Sequence, residues 1–508
     1  MLPRKTKRRK QWMVAALVVF LGFAAFLGYG HFFTKPAFTG SDRSIAVMPF
    51  VNEPMGSGNE NFAIGMTDEI TNRLSRVSDL RVIPGSLTRQ YKGNEKNVVQ
   101  LAAEFKAAAV LTGTIHQSGH QLQISALLTD THSGQSIWKE NYDFDMENVF
   151  SVQTEIAQLI AEKLNASLTE ADKNNIARRP TQNLEAYNQY LNGRYFWNKR
   201  DKASLRKGVD FFERAIQLDS GYARAYSGLA DCYSALGYAS FEMPTIAFSK
   251  AEAAAQKALD LDSTLAEPHT SLGYIRFYYY WDWPAAETEF LKAIRLNKNY
   301  ALAYDSYGYY LTSRERFPES RVAIEKALQL DPLSAFINTD IGFNLCYTQK
   351  YDRAIESLKA TLELYPTFPL AHLWLGRAYQ EQKMYKESIL QFQQALKSNP
   401  NWPVALAAIG YVYGISGQRQ EAMNVLGKMY SIADSIFVTP YGMALIYAGM
   451  DDRENAFKWL DKAYENKSHW LVWLKLDPRW TVLHSDKRFA VLINKMGLGN
   501  NISPSKRN

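Results

Sequence analysis

The 508-residue chain is predicted to fold as three parts in series: a single amino-terminal transmembrane helix, an α/β domain, and an all-α superhelix of stacked helical hairpins. Three observations predict this. Gln11–Tyr29 carries no charged side chain and follows six basic residues within the first ten. Between residues 43 and 168, short apolar runs alternate with helical stripes. From residue 184 to 466 the sequence repeats itself with a period near 34 residues.

The amino terminus reads MLPRKTKRRK, a basic tail over residues 1–10. Residues 11–31 are expected to cross a membrane, because about 20 apolar residues span a bilayer as a helix. Basic flanks stay in the cytoplasm. That orientation puts the tail inside and the rest of the chain outside, single-pass in a bacterial inner membrane with its bulk in the periplasm. A cleaved signal peptide is the competing reading. Such peptides have apolar cores of roughly 7–15 residues and a small-x-small cleavage site. Here the core is longer and ends in Gly28-Tyr29-Gly30-His31-Phe32-Phe33. The net charge of +7 comes from 58 basic and 51 acidic residues. Residues 1–40 hold seven basic and no acidic side chains, so the remainder balances. The basic excess belongs to the anchor, and no nucleic-acid partner is expected. Two cysteines, Cys232 and Cys346, make no disulfide framework.

After a linker over 32–42, the α/β domain is expected over 43–178. Ser44–Phe50 reads as a buried strand. Phe62, Met66, Ile70, Leu74 and Val77 follow at helical spacing, then Leu80–Ile83 as a strand. Val98, Leu101, Ala102 and Phe105 mark a second helix. Strands over Ala108–Ile115, Leu122–Thr129 and Ser136–Tyr142 are separated by turns at Gln117-Ser118-Gly119 and His132-Ser133-Gly134. Val149, Val152, Ile156, Ile160 and Leu164 form the stripe of a closing helix. The strings SIAVMPFVN, FAIGMTDEITNRLSRVSDLRVIP and AAVLTGTIHQSGHQLQISALLTDTHSGQSIWKENYD resemble the domain related to the TolB amino-terminal domain. This TolB N-terminal-like α/β domain occurs with tetratricopeptide repeats in bacterial envelope proteins, in extracytoplasmic halves of ToxR-type membrane-integrated regulators, and downstream of nucleotide-cyclase domains. The resemblance implies a sensing or docking module. With ten residues where those relatives carry a DNA-binding or cyclase domain, direct transcriptional control and cyclic-nucleotide synthesis are not expected. Asn174–Gln182 is polar, holds a proline and lacks periodicity, so the two parts are expected to be separable folding units.

The repeats, over 181–466, are expected to number about eight. In the unit from Ala301, Tyr304, Tyr307, Gly308, Leu311, Phe317, Ser320, Ala327 and Pro332 fall at offsets 4, 7, 8, 11, 17, 20, 27 and 32. Units from Ala335 and Pro369 keep that register, with Gly342 and Gly376 at offset 8. Glycine there and a small residue at offset 20 let two helices approach, and the proline ends the second. The pattern resembles the tetratricopeptide repeat, and the all-α superhelix is read as such. Residues 467–498, with an amphipathic helix at Leu483–Met496, are expected to cap the array, before a flexible tail over 499–508. The resemblance implies a concave groove lined by Tyr274, Phe277, Tyr278, Tyr309, Phe336, Phe343, Tyr347, Arg377 and Tyr411. This aromatic surface is the expected docking site for a protein or peptide partner, unless the superhelix closes on it. Truncating Tyr309 and Phe343 is expected to weaken capture with little loss of stability.

Chemistry is sparse. There is no G-x-x-x-x-G-K-[ST], H-E-x-x-H or G-x-S-x-G string. Ser204 and Lys207 match S-x-x-K without its companion motifs. His116, His120 and His132 lie at predicted turns, where three imidazoles could meet a metal but solvent-exposed turn residues are the plainer reading. Asp143, Asp145 and Glu147 are expected to favour a helix start. No cofactor, metal or catalytic residue is therefore expected, and the chain is expected not to be an enzyme. The expected function is a membrane-anchored extracytoplasmic scaffold. The alternative is a sensory receptor component that binds a small ligand and signals through a partner.

Overall fold

A computed structural model describes residues 43–53, 60–77, 79–83, 85, 88, 106–332 and 334–499. The readings for residues 1–42, for the helix at Val98–Phe105 and for most of the tail lie outside them. Among the described residues no helix is long and apolar enough to cross a membrane.

The amino-terminal part is a six-stranded sheet. Its strands are β1 (Ser44–Val47), β2 (Val51–Glu53), β3 (Arg81–Ile83), β4 (Ala109–Ser118), β5 (Gln121–Asp130) and β6 (Ser136–Asp145). The order is β3-β1-β4-β5-β6, with β2 also on β4. β1 runs parallel to β3 and β4, whereas β4, β5 and β6 form an antiparallel meander. On β5, Leu122, Ile124, Ala126 and Leu128 are buried while Gln121, Gln123 and Ser125 are exposed. That alternation marks a sheet with one covered face. The cover includes α1 (Glu60–Ser75) and α2 (Val149–Lys163), whose Met66, Ile70, Ile156 and Ile160 share the core with the sheet.

A short helix, α3 (Glu170–Ala177), leads into eight helical hairpins: α4/α5 (Leu184–Lys199, Lys202–Leu218), α6/α7 (Ala223–Tyr238, Pro244–Leu261), α8/α9 (Glu267–Ile275, Trp283–Leu296), α10/α11 (Ala301–Ser313, Phe317–Leu330), α12/α13 (Ala335–Tyr347, Tyr351–Leu364), α14/α15 (Pro369–Glu381, Tyr385–Leu396), α16/α17 (Pro403–Ile415, Arg419–Ile432) and α18/α19 (Pro440–Gly449, Arg453–Glu465). Asn183, Asp201, Asp282, Ser334 and Asp452 cap helix starts with their side chains. The turn inside each hairpin holds one residue of positive φ: Arg200, Ser240, Trp281, Glu315, Gln349, Lys383, Gly417 and Asp451. The glycine at offset 8 does what its spacing predicts. A Cβ on Gly342 would enter Leu358, and one on Gly376 would enter Phe392.

The two parts are not independent. Residues from 44 onward form one compact unit. Tyr187 of α4 packs edge-on against Phe150 of α2 at 4.9 Å and accepts a hydrogen bond from Gln153 at 2.9 Å. Glu69 of α1 pairs with Arg224 of α6 at 2.5 Å. Asn299, between α9 and α10, donates to the Ser75 carbonyl at 2.9 Å. The expected linker is tied down as well. Asn174–Ala177 is the last turn of α3. Arg178 pairs with Asp262 at 2.7 Å, and Thr181 donates to Asp219. The absence of apolar periodicity there reflects polar anchoring, which resembles a linker in sequence.

After α19 the chain does not simply cap the array. Two 3-10 turns, His469–Trp473 and Pro478–Leu483, enter the concave face, and α20 (Lys487–Lys495) leaves it. Arg488 of α20 pairs with Glu454 of α19 at 2.8 Å. Beyond it, the Trp283 indole donates to the Met496 carbonyl at 3.2 Å and Arg314 donates to that of Gly497 at 3.2 Å. The last repeat is thereby fastened back to the third and fourth. Farther along, the Trp402 indole donates to the Ala239 carbonyl at 3.2 Å, joining the seventh hairpin to the second.

Candidate functional site

The nine expected groove residues come from first helices of successive hairpins, Phe277 and Tyr278 from the π-helical turn Arg276–Tyr280 that continues α8, and do meet on the concave side. Seven of them are covered. Phe277, Tyr278, Tyr309, Phe343, Tyr347, Arg377 and Tyr411 are all buried. The chain's own His469–Leu483 segment lies over them. Trp473, fully buried, stacks on Tyr347 at 4.7 Å and meets Phe343 edge-on at 4.8 Å. Its ring also lies 6.2 Å from Tyr309, 6.0 Å from Phe277 and 6.5 Å from Tyr278. The expectation of an open aromatic groove is corrected here: an apolar concave face is covered by whatever apolar segment of the same chain can reach it.

Farther along, Asp477 is the polar anchor of the segment. Its carboxylate accepts from Arg479 at 2.6 Å, Arg377 at 3.2 Å and Tyr441 at 3.1 Å. The Trp480 indole donates in turn to the Tyr441 hydroxyl at 2.8 Å. Burial acts to raise the Asp477 carboxyl, but Arg479 and Arg377 override it and hold it well below the usual range. His469, at the other end, is driven down to about 3 by burial and stays neutral.

Tyr274 and Phe336, both half-buried, have a different setting. They line a cavity of about 540 Å³ that the inserted segment leaves open. Its walls also include Trp197, Arg200, Tyr238, Phe241, Tyr300, Phe368 and Trp402, so that with Tyr274 and Phe336 they draw on hairpins one to seven. Arg200 lies between rings, 3.8 Å from the centre of Trp197 and 5.0 Å from that of Phe336. At the wall, Asp231 accepts from Arg194 at 2.9 Å and Ser271 at 2.8 Å. Nearby, Asp305 of α10 and Asp340 of α12 are buried. Burial, and for Asp340 also the neighbouring Asp305, pushes both carboxyls well above their usual range.

Sequence reasoning did not single out Trp197, Arg200, Trp402, the Asp305–Asp340 pair or the inserted segment. One signal was available. The string His469-Trp-Leu-Val-Trp-Leu474 is strongly apolar yet falls outside the repeat register.

The remaining candidates are scattered. His116 and His120 sit at one end of the β4–β5 hairpin and His132 at the other, so these strands keep them apart. Among the described residues no group of three or more His, Cys, Asp or Glu could hold a metal ion. Asp143 lies within β6, whereas Asp145 ends β6 at the N-cap of the 3-10 turn Met146–Asn148, which holds Glu147 and leads into α2; Asp143 and Asp145 also accept from Gln123 and Gln121 across the strand pair. Ser204 lies in the first turn of α5, its backbone N–H capped by Asp201, while the Lys207 ammonium sits over the Phe196 ring.

The family model described as HilA/YgeH-like transcriptional regulator, second domain, matches residues 41–159. The tetratricopeptide repeat model matches residues 348–410. The hairpins are thus tetratricopeptide repeats. The chain is similar to putative adenylate cyclase 3 of Rhizobium meliloti (strain 1021), 29% identical over 187 residues. That match covers 37% of this chain and 32% of the relative, so the chain spans about a third of that protein's length. The expectation that the chain is not an enzyme is overturned by this relative, which is named for an enzymatic activity. Among solved structures, Pseudomonas aeruginosa pilF is 19% identical, with 43% of this chain and 94% of that one covered, at a TM-score of 0.32. Human IFIT1 with m7Gppp-AAAA is 16% identical, with 70% and 86% covered, at a TM-score of 0.41.

Proposed function

We propose that the chain is a membrane-anchored extracytoplasmic scaffold that binds a protein or peptide partner through its tetratricopeptide repeats. In this reading residues 11–31 cross the bacterial inner membrane. The TolB amino-terminal-like domain then holds the repeat superhelix in the periplasm. The observation that carries the binding role is the open cavity of about 540 Å³ on the concave face, walled by aromatic rings from seven hairpins. A surface assembled from so many separate elements and still uncovered is where binding energy is available. The anchor rests on the uncharged stretch Gln11–Tyr29 and its basic flank.

Two measurements test this. Alkaline phosphatase fused to the carboxyl terminus should be active and stay with membranes after a high-salt wash. Activity in the soluble periplasm would mean cleavage, and inactivity would reverse the topology. Affinity capture with the solubilised full chain should retain a protein, and replacing Trp402 with alanine should reduce its recovery.

A second reading, a sensory receptor component, is favoured by one specific observation. The model matching residues 41–159 is that of a transcriptional regulator's second domain. It predicts that small-molecule extracts raise the melting temperature of the chain while no protein is captured.

A further inference from the structure

Resting on the binding role just argued, we propose that the cavity takes a ligand with one carboxylate and an adjoining apolar group, Arg200 receiving the carboxylate. The guanidinium carbon lies over the Trp197 ring at 3.8 Å and over that of Phe336 at 5.0 Å. Stacking leaves the in-plane N–H groups, which form the fork that matches a carboxylate. The Arg200 backbone N–H donates to the Trp197 carbonyl at 3.3 Å, but among the described residues none accepts a hydrogen bond from its guanidinium or forms an ion pair with it. Its neighbours are committed elsewhere: Arg194 to Asp231 at 2.9 Å, and Arg206, also on the wall, to Glu242 at 3.0 Å. Asp231 does favour the Arg200 charge, but it already serves Arg194 and Ser271. Burial lowers the Arg200 pKa despite that help, which marks a cation short of compensation.

The charge balance selects the anion. Asp231, Asp305 and Asp340 all lie close enough to feel Arg200. Lys199, Lys202 and Arg206 also line the cavity, but at Arg200, beside the rings, one guanidinium matches one negative charge. A phosphate monoester, with close to two, would bring a second charge that Arg200 does not match. The volume fits a side chain and a few backbone atoms, and Tyr238, Phe241, Tyr274, Phe368 and Trp402 offer them apolar surface. A carboxylate of this kind is found on the end of a peptide chain and on a free aromatic acid.

The test uses the solubilised full chain, with calorimetry and the fluorescence of Trp197 and Trp402 as readouts. Probes are acetyl-Ala-Phe and acetyl-Ala-Leu, each as free acid and as amide, together with phenylacetate, indole-3-acetate and phenyl phosphate. The acids should bind at least tenfold more tightly than their amides. Arg200→Gln should erase that difference, and Arg200→Lys should retain part of it. Binding of the peptide acids alone identifies a chain terminus, and equal binding of phenylacetate or indole-3-acetate identifies a small acid. Equal affinity of acid and amide, no binding of any acid at millimolar concentration, tighter binding of phenyl phosphate, or acid preference surviving in Arg200→Gln would each overturn the assignment. Should Arg200→Gln fail to fold, the acid-against-amide comparison on the native chain still decides. Partner capture without any acid-dependent binding would sink this inference and leave the scaffold reading standing. Acid binding without any captured protein would do the reverse.

Discussion

The indole of Trp473 lies stacked on the ring of Tyr347, 4.7 Å between centroids and 23° from parallel. A residue of the fifth hairpin and one from beyond the eighth thus share one buried contact, and it closes the groove. Trp473→Ala should cost about 3–5 kcal/mol, the range for emptying a large aromatic site. Tyr309→Ala and Phe343→Ala should also be strongly destabilising, contrary to the expectation that groove positions tolerate truncation. Urea denaturation measures all three. A loss below about 1 kcal/mol for Trp473→Ala would mean that the segment does not hold the groove in solution.

Two glycines should respond in opposite directions. Gly342→Leu drives a side chain into Leu358 of the paired helix and should destabilise by about 1–3 kcal/mol or more. Gly427 lies inside α17, and a Cβ there meets nothing within 4 Å. Gly427→Ala should therefore stabilise by about 0.5–1 kcal/mol through helix propensity. Melting curves of the two variants falling on the same side of the native chain would contradict the hairpin packing.

The buried carboxyls make stability depend on pH. Asp305 is pushed up to about 7 by burial, and Asp340 is raised as well. A folded-state pKa above the unfolded one means that the folded chain binds more protons. Their contribution is greatest below the ordinary aspartate range near 4 and is lost as pH rises through the folded value. Asp305→Asn should thus gain in melting temperature relative to the native chain as pH goes from 5 to 8. Asp477, held low, acts in a separate and more acidic window, its contribution disappearing as pH falls through its depressed value. A difference between Asp305→Asn and native chain that shrinks toward pH 8 would refute the raised carboxyl.

Glu69 and Arg224 join the sheet domain to the second hairpin. The Glu69 side chain is 1% exposed and that of Arg224 12%. Burial acts to raise the Glu69 carboxyl, yet Arg224 and Arg73 pull it below its usual value. Glu69→Gln alone should cost about 3–5 kcal/mol, because it leaves the buried Arg224 and Arg73 without their carboxylate, and Arg224→Met should cost less, because Glu69 keeps Arg73 at 3.1 Å. The double variant should recover much of that loss. Additive losses in a double-mutant cycle would show that the pair does not couple.

Much of the architecture could be read from spacing, and the reason is locality. Gly342 meets Leu358 within one hairpin, and Leu122, Ile124, Ala126 and Leu128 alternate within one strand. Such constraints are written into a few dozen consecutive residues, so the 34-residue period and the sheet meander are visible in the sequence. Trp473, Asp477 and Arg479 carry no period that says which face they will cover. Their place depends on the small rotation added by each hairpin, which brings Trp402 to Ala239 across 163 residues. The same summed rotation carries Phe336 to Arg200 and sets Asp305 beside Asp340. Whether an aromatic groove position ends under an indole or on an open cavity is fixed by closure of the superhelix. Closure is a property of all eight hairpins together, and no stretch of sequence short enough to show a pattern contains it.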